Sequence, residues 1–273
     1  MSRAPQSTWQ IAAAADEPTL SEQDGVRYLH FNSEWVQGAM RLARPSALEL
    51  AYTRQMMAWL LFLKPAARDR VGILGLGAGS LLRFVLRHTR CSVETVERNA
   101  AVVAICRSCF RLPGSARSTV DLADARDWIA APLRGGRYRA LMVDLYDAQA
   151  QGPVCGDADF YRHCWRALDE PGIMSVNLFG HHSSFGSNLQ NIRAAFGDQV
   201  ALLPEVDEGN TVVLAFKGAF VLPDLHDWLS CAQALESRTG LPAQHWVHAL
   251  LSSPALWLWW RGDRGAGTEV GAI

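Results

Sequence analysis

An apolar run, Val71 to Leu74, breaks into Gly75, Gly77 and Gly79, and the next β-rich run, Ser92 to Val96, closes on a carboxylate, Glu97. Glycines at such a break let the backbone approach a ligand closely, and a carboxylate about twenty residues further on can accept hydrogen bonds from both hydroxyls of a ribose. The pair reads as a nucleoside site. Ser80 stands where a G-x-G-x-x-G fingerprint has its third glycine, so the loop fits the tighter turn of S-adenosylmethionine-type sites, and NAD is the second choice. Glycine turns between a strand and a helix also arise for packing alone, and on the pattern by itself that reading stays open.

Further acids stand where strands are expected to end: Asp124, then Asp144 and Asp147 in DLYD, then Glu205 and Asp207 in the loop 204–208. Any one of them is more commonly a solvated turn residue. Their gathering at one edge of a sheet is what argues for a site. Asp124 suits an adenine amino group. Asp144 and Asp147 leave the most apolar strand, where two carboxylates can hold a cationic amine and take the proton that it must lose for its nitrogen to attack. The acidic loop, through Glu205 and Asp207, suits the distal ammonium of a diamine.

These residues need a scaffold that brings strand ends together, and the apolar pattern supplies one. Residues 1–18 lack periodicity and read as a mobile arm. Thr19 to Gln23, Asp24-Gly25 and Val26 to Phe31 have the form of a tight hairpin. Trp35 to Leu42 adds a strand, and Pro45-Ser46 opens a helix to Leu63, with Glu49 completing a capping box. From Val71 strands and helices alternate: a helix from Asn99 to Phe110, a strand ending at Asp124, a strand from Ala140 to Asp144, and a strand from Gly172 to Phe179. A last pair, Val200 to Leu203 and Thr211 to Phe216, is joined too tightly for a crossover helix and must be an antiparallel hairpin at an edge. The expectation is an α/β fold, a seven-stranded Rossmann-like sheet of the class I S-adenosylmethionine-dependent methyltransferase type. It is divided into an arm (1–18), a small β element plus helix (19–66), the nucleoside-binding domain (67–218) and a C-terminal helical extension with a tail (219–273).

The 273 residues carry 26 Lys and Arg against 27 Asp and Glu, so no polycationic footprint for nucleic acid or membrane is expected. No apolar run reaches a membrane span, and the start lacks the apolar core of a signal peptide, which makes a cytoplasmic location the default. Cys106 and Cys109 form a CxxC inside an apolar helix pattern with no second ligand pair, so they read as two small helix residues rather than a redox or zinc site, and no metal is expected. Trp257, Trp259 and Trp260 suit the cover of a sheet or a subunit contact, with a homodimer as a candidate assembly.

Taken in order, the motifs resemble the polyamine aminopropyltransferases, of which spermidine synthase is the usual member. The resemblance runs from about Asp24 to Phe216. It rests on DGV in the hairpin, Glu49 and Tyr52 ahead of Met56, the glycine loop followed by Leu81-Leu82-Arg83, VER at Glu97, AD-A at Asp124, DLYD at Asp144, and FYRHCWRALDEPG from Phe160 to Gly172. It implies decarboxylated S-adenosylmethionine as aminopropyl donor and a putrescine-like amine as acceptor. By position, Glu97 would bind ribose, Asp124 adenine and Asp147 the acceptor, with Asp144 as base and Tyr52 and Gln55 on the substrate side. The chain departs from the family at Ala78, where the loop GGGDGG has an acid for the donor's amino group. It departs again at Tyr52-Thr53, with Gln55 offset, and at Ala148 in place of a proline. Two alternatives follow: a methyltransferase using intact S-adenosylmethionine, favoured by the loop GLGAGS, and a non-catalytic nucleoside-binding relative, against which Asp144 and Asp147 argue.

Overall fold

The computed structural model describes residues 17–31, 35–146, 154–221 and 223–252. Most of the expected arm, Asp147, Ala148 and the tryptophan run 257–260 lie outside the described residues.

Three strands, β1 (Pro18–Gln23), β2 (Val26–Phe31) and β3 (Gly38–Arg41), form a small antiparallel sheet in sequence order. Asp24 and Gly25 both take positive φ, 52° and 74°, as the two-residue hairpin turn requires. The strand expected over 35–42 is the shorter β3. The helix expected from Pro45 to Leu63 is broken into α1 (Ala51–Gln55) and a 3-10 turn (Ala58–Leu61). Its capping box is not made, because Arg41 takes Glu49 in a two-pronged ion pair at 2.9 and 2.7 Å and Leu50 becomes the residue ahead of α1. A charged fork outcompetes a single bond to a backbone N–H.

The large sheet contains β4 (Arg70–Leu74), β5 (Ser92–Glu97), β6 (Ser118–Leu122), β7 (Tyr138–Val143), β8 (Leu168–Phe179), β9 (Val200–Leu202) and β10 (Asn210–Lys217) in the order β6-β5-β4-β7-β8-β10-β9. β10 runs antiparallel to both neighbours, and the other pairings are parallel. This is the seven-stranded methyltransferase-type sheet. Helices α2 (Ser80–His88), α3 (Ala100–Cys109), α4 (Ala125–Ala130), α5 (Ala158–Ala167) and α6 (Phe185–Phe196) connect the strands, and α7 (Leu225–Thr239) and α8 (Ala243–Leu251) follow. Alternation along β7 from Ala140 onward divides the core: Ala140 and Met142 join Trp59, Phe216, Trp228 and Trp246 on one face, while Leu141 and Val143 join Trp128, Phe160 and Ile192 on the other, where a register shift before Ala140 also brings Tyr138. A third cluster, with Leu29, Met40, Val102, Cys106 and Phe110, fastens the small sheet against α3.

The chain runs outward from β4 to β5 and β6, then returns to place β7 on the other side of β4. A crevice opens at such a switch point beyond the carboxyl ends of the two central strands. Gly75 follows β4 and Asp144 follows β7, and both lie there.

Candidate active site

The two central strand ends touch. The Asp144 N–H donates to Leu74 O at 2.9 Å, and a Cβ on Gly75, whose φ is 94°, would meet Asp144 O at 2.2 Å. Only glycine fits between them. Gly77 (φ 50°) lies against the Gln37 carbonyl, and Gly79 (φ 72°) starts α2. The loop is braced from behind by a buried cation. Arg83 donates to Ala78 O (2.6 Å), Phe110 O (2.8 Å) and Pro45 O (2.7 Å), and burial lowers its pKa to about 10, which still leaves it protonated at neutral pH. Cys106 adds a thiol contact to Gly77 O at 3.0 Å, and burial pushes that thiol up to about 12. Cys106 packs within α3 in the cluster under the small sheet, with Cys109 partly buried beside it. Among the described residues no group of three His, Cys, Asp or Glu side chains could hold a metal.

A cleft lies along this edge, lined by Gly75, Gly77, Glu97, Asp124, Asp144 and Tyr146 among others. Glu97 accepts from two backbone amides, Leu76 N at 3.1 Å and Asn99 N at 2.9 Å, one for each oxygen. Each oxygen keeps a further lone pair, so the carboxylate is oriented and still able to accept from vicinal hydroxyls. β6 ends at Leu122, two residues short of the expected end, because Asp124 caps α4 through Arg126 N at 2.8 Å. Asp124 still lines the cleft.

A second compartment adjoins the first and shares Gln37, Tyr52 and Tyr146 with it; Trp35, Phe179, Asn177, Asp207 and Asn210 also line it. Asp144, half-buried, lines the first compartment, and its two partners, Tyr52 and Asn177, line the second. Asp144 Oδ2 accepts from the Tyr52 hydroxyl at 3.3 Å and Asp144 Oδ1 from Asn177 Nδ2 at 3.1 Å. Burial raises the carboxyl to about 6, with the bonds from Asn177 and then Tyr52 opposing the rise. Burial, followed by the Asp144 charge, pushes the Tyr52 phenol well up, so it remains a donor.

The other expected residues divide. Asp207 lines the second compartment, and its Oδ2 accepts the Tyr52 backbone N–H at 2.8 Å, which docks the loop onto the start of α1. Gln55 is buried, donates to Pro204 O at 2.8 Å and lines neither compartment. Glu205 is exposed, pairs with His181 at 3.1 Å and also lies outside both. Ala78 is 2% exposed and packed against Gly38 in the cluster under the small sheet, so position 78 offers no side chain to the cleft. Asn177 and Tyr146 were missed. Tyr146 donates to the Asn177 carbonyl at 3.1 Å. The signal for Asn177 was a lone amide in the apolar run Ile173 to Phe179, and a buried amide in mid-strand needs a partner.

No family model matches the chain. The polyamine aminopropyltransferase of Chromobacterium violaceum is 31% identical over 243 residues, covering 87% of this chain and 90% of that protein. The probable spermidine synthase from Corynebacterium glutamicum superposes with a TM-score of 0.65 at 19% identity, covering 94% and 93% of the two chains. The human methyltransferase-like protein 13 in complex with SAH superposes with a TM-score of 0.60 at 24% identity over 70% of this chain and 92% of that one, which shows the shared sheet. With that similarity extending along nearly the whole length of the curated relative, the chain belongs to the polyamine aminopropyltransferase family.

Proposed function

We propose that this chain is a cytoplasmic transferase that moves an aminopropyl group from decarboxylated S-adenosylmethionine to a polyamine-type amine. The observation that carries the proposal is the position of Asp144, a carboxylate raised to about 6 that lines the first compartment while its two partners line the second. The residues of the first compartment fit a nucleoside: Glu97 for ribose, Asp124 for adenine, Gly75 and Gly77 where the backbone comes close. When bound, the donor supplies a sulfonium, which makes its propyl carbon electrophilic.

The second compartment takes the amine. Asn177 Oδ1 is buried without a partner among the described residues, and Asn177 lines this compartment, so it supplies an acceptor for an amine N–H. Trp35, Tyr52, Tyr146 and Phe179 provide aromatic walls suited to an alkylammonium. As the amine nitrogen forms its bond to the propyl carbon, the carbon–sulfur bond breaks, the electron pair stays on sulfur, and Asp144 accepts the released proton. A carboxylate at about 6 is a stronger base than an ordinary one and is still mostly ionised at neutral pH. Asp207, on the wall of the second compartment, supports an acceptor-side role and Asp147 is carried over from the sequence, whereas Gln55 and Glu205, which line neither compartment, do not enter the reading.

The test is turnover and donor affinity of Asp144→Asn. Base catalysis acts on the transition state, so turnover should fall by about 10² to 10⁴ with methylthioadenosine affinity nearly unchanged. Running both donors, decarboxylated and intact, in the same assay decides between aminopropyl and methyl transfer. Turnover with the intact donor alone would replace this reading with the methyltransferase one.

A further inference from the structure

At the far end of α2 from the glycine loop lies a separate groove between the 3-10 turn after α1, the end of α2 and α7. Nine residues of α2, about 13 Å of helix, separate the two. The charged side chains lining it are Lys64, Arg87, Arg90 and Arg238, joined by His88. No Asp or Glu lines it. In a chain with 26 basic and 27 acidic residues, this is a local separation of charge.

Arg87 and His88 stand in the last turn of α2 and Arg238 in that of α7, where cations also offset the helix macrodipole. That explanation does not reach Lys64 or Arg90, which lie in connecting segments. Nor does it give any of the four cations a counter-charge: none has an ion-pair or hydrogen-bond partner among the described residues. His88 reports the same field. Burial, then the charges of Arg87 and Arg238, hold its imidazole below the ordinary value, so it is neutral at physiological pH and the groove's charge comes from the other four.

The ligand's chemistry follows from sign and exposure. The substrates proposed for the cleft are cations and would be repelled here, so this is no second substrate subsite. The leucines beneath the charges, Leu60, Leu61, Leu63 and Leu235, are at most 9% exposed, so the reachable surface is cationic rather than apolar. That disfavours an apolar peptide anchor. Arginine's planar fork matches tetrahedral oxyanions in two-pronged geometry, and several cations around one groove match a ligand with several negative charges. We propose that this groove binds a small polyanion bearing more than one phosphate.

Tripolyphosphate is the probe, titrated by calorimetry into the full chain at fixed ionic strength. The readout is binding, so it is independent of whether the cleft transfers an aminopropyl group. Saturable binding is expected, and Arg87→Glu with Arg238→Glu, both exposed on helix surfaces, should weaken it at least tenfold while leaving methylthioadenosine affinity unchanged. Arg90→Ala should give a smaller loss and serves as the second variant if the double reversal fails to fold. Absence of saturable heat in the wild type, affinity unchanged in the variants, or an effect reproduced by sodium chloride at the same ionic strength would overturn the proposal.

Discussion

The hydroxyl of Tyr52 donates to Asp144 Oδ2 at 3.3 Å, joining residues 92 positions apart, and Asn177 donates to the other oxygen of the same carboxylate. Burial and hydrogen bonding therefore act on Asp144 in opposite directions, and its proton affinity depends on both neighbours. The proposed chemistry and the pH at which it operates are set by this triad.

The pH profile of kcat/KM should rise through a midpoint near 6 as Asp144 loses its proton and becomes a base. Asn177→Ala removes the larger of the two opposing bonds, so the midpoint should move to higher pH. A midpoint that stays in place, or moves down, would mean that another group titrates in the free enzyme.

Asp144→Asn should stabilise the fold at neutral pH while slowing turnover by the factor given above. The carboxyl's folded pKa is raised, so the stability that its neutral form contributes is fully present below the unfolded value near 4 and is lost as pH rises through about 6. Asparagine does not titrate. The difference in unfolding free energy between mutant and wild type should grow between pH 4 and pH 7, by on the order of 3 kcal/mol as an upper bound. Denaturant titrations at the two pH values measure it, and a constant difference would exclude a raised Asp144.

Glu97→Ala should weaken methylthioadenosine binding by roughly 1.5 to 3 kcal/mol, the range for hydrogen bonds to a charged group. Part of the loss comes from freeing the Leu76 and Asn99 amides that Glu97 now accepts from. Unchanged affinity by calorimetry would remove Glu97 from the ribose site.

Ala78→Asp should destabilise the protein rather than retune its donor preference. The residue is buried against Gly38 among Leu29, Met40 and Cys106, and a carboxylate placed there costs roughly 2 to 5 kcal/mol. Thermal melts should show a clear drop. A mutant of wild-type stability with an altered ratio of donor affinities would show that position 78 faces the cleft.

Much of this was legible from the chain. Gly75 and Asp144 could be placed at one carboxyl edge of the sheet because a broken apolar run and a continuous one have distinct signatures, and the edge hairpin followed from too short a connection, whereas the adjacency of their two strands came only with the fold. What stayed hidden depended on contacts between distant segments. Glu49 has the spacing of a capping box, but Arg41 reaches it first. Gln55 and Glu205 carry suitable chemistry, yet one is drawn to the Pro204 carbonyl and the other to His181. Asn177 was concealed for the opposite reason, since strand composition alone says only that it is buried. Spacing reports which residues share an element. It does not report which way a side chain turns when a partner arrives from elsewhere in the sequence.

The carboxylate of Asp207, resting on the Tyr52 backbone amide, has an effect at a distance. Asp207 lies between β9 and β10, outside the first compartment, but it holds the helix end from which Tyr52 reaches Asp144. A substitution in that connection that tilts α1 changes how well the phenol stabilises the carboxylate, and so moves the acidic limb of the activity profile without altering any group that touches the donor. The acid limit of this enzyme is thus a remote gauge of its loop geometry. Variants altered between residues 204 and 210 should therefore shift in pH optimum as well as in acceptor affinity.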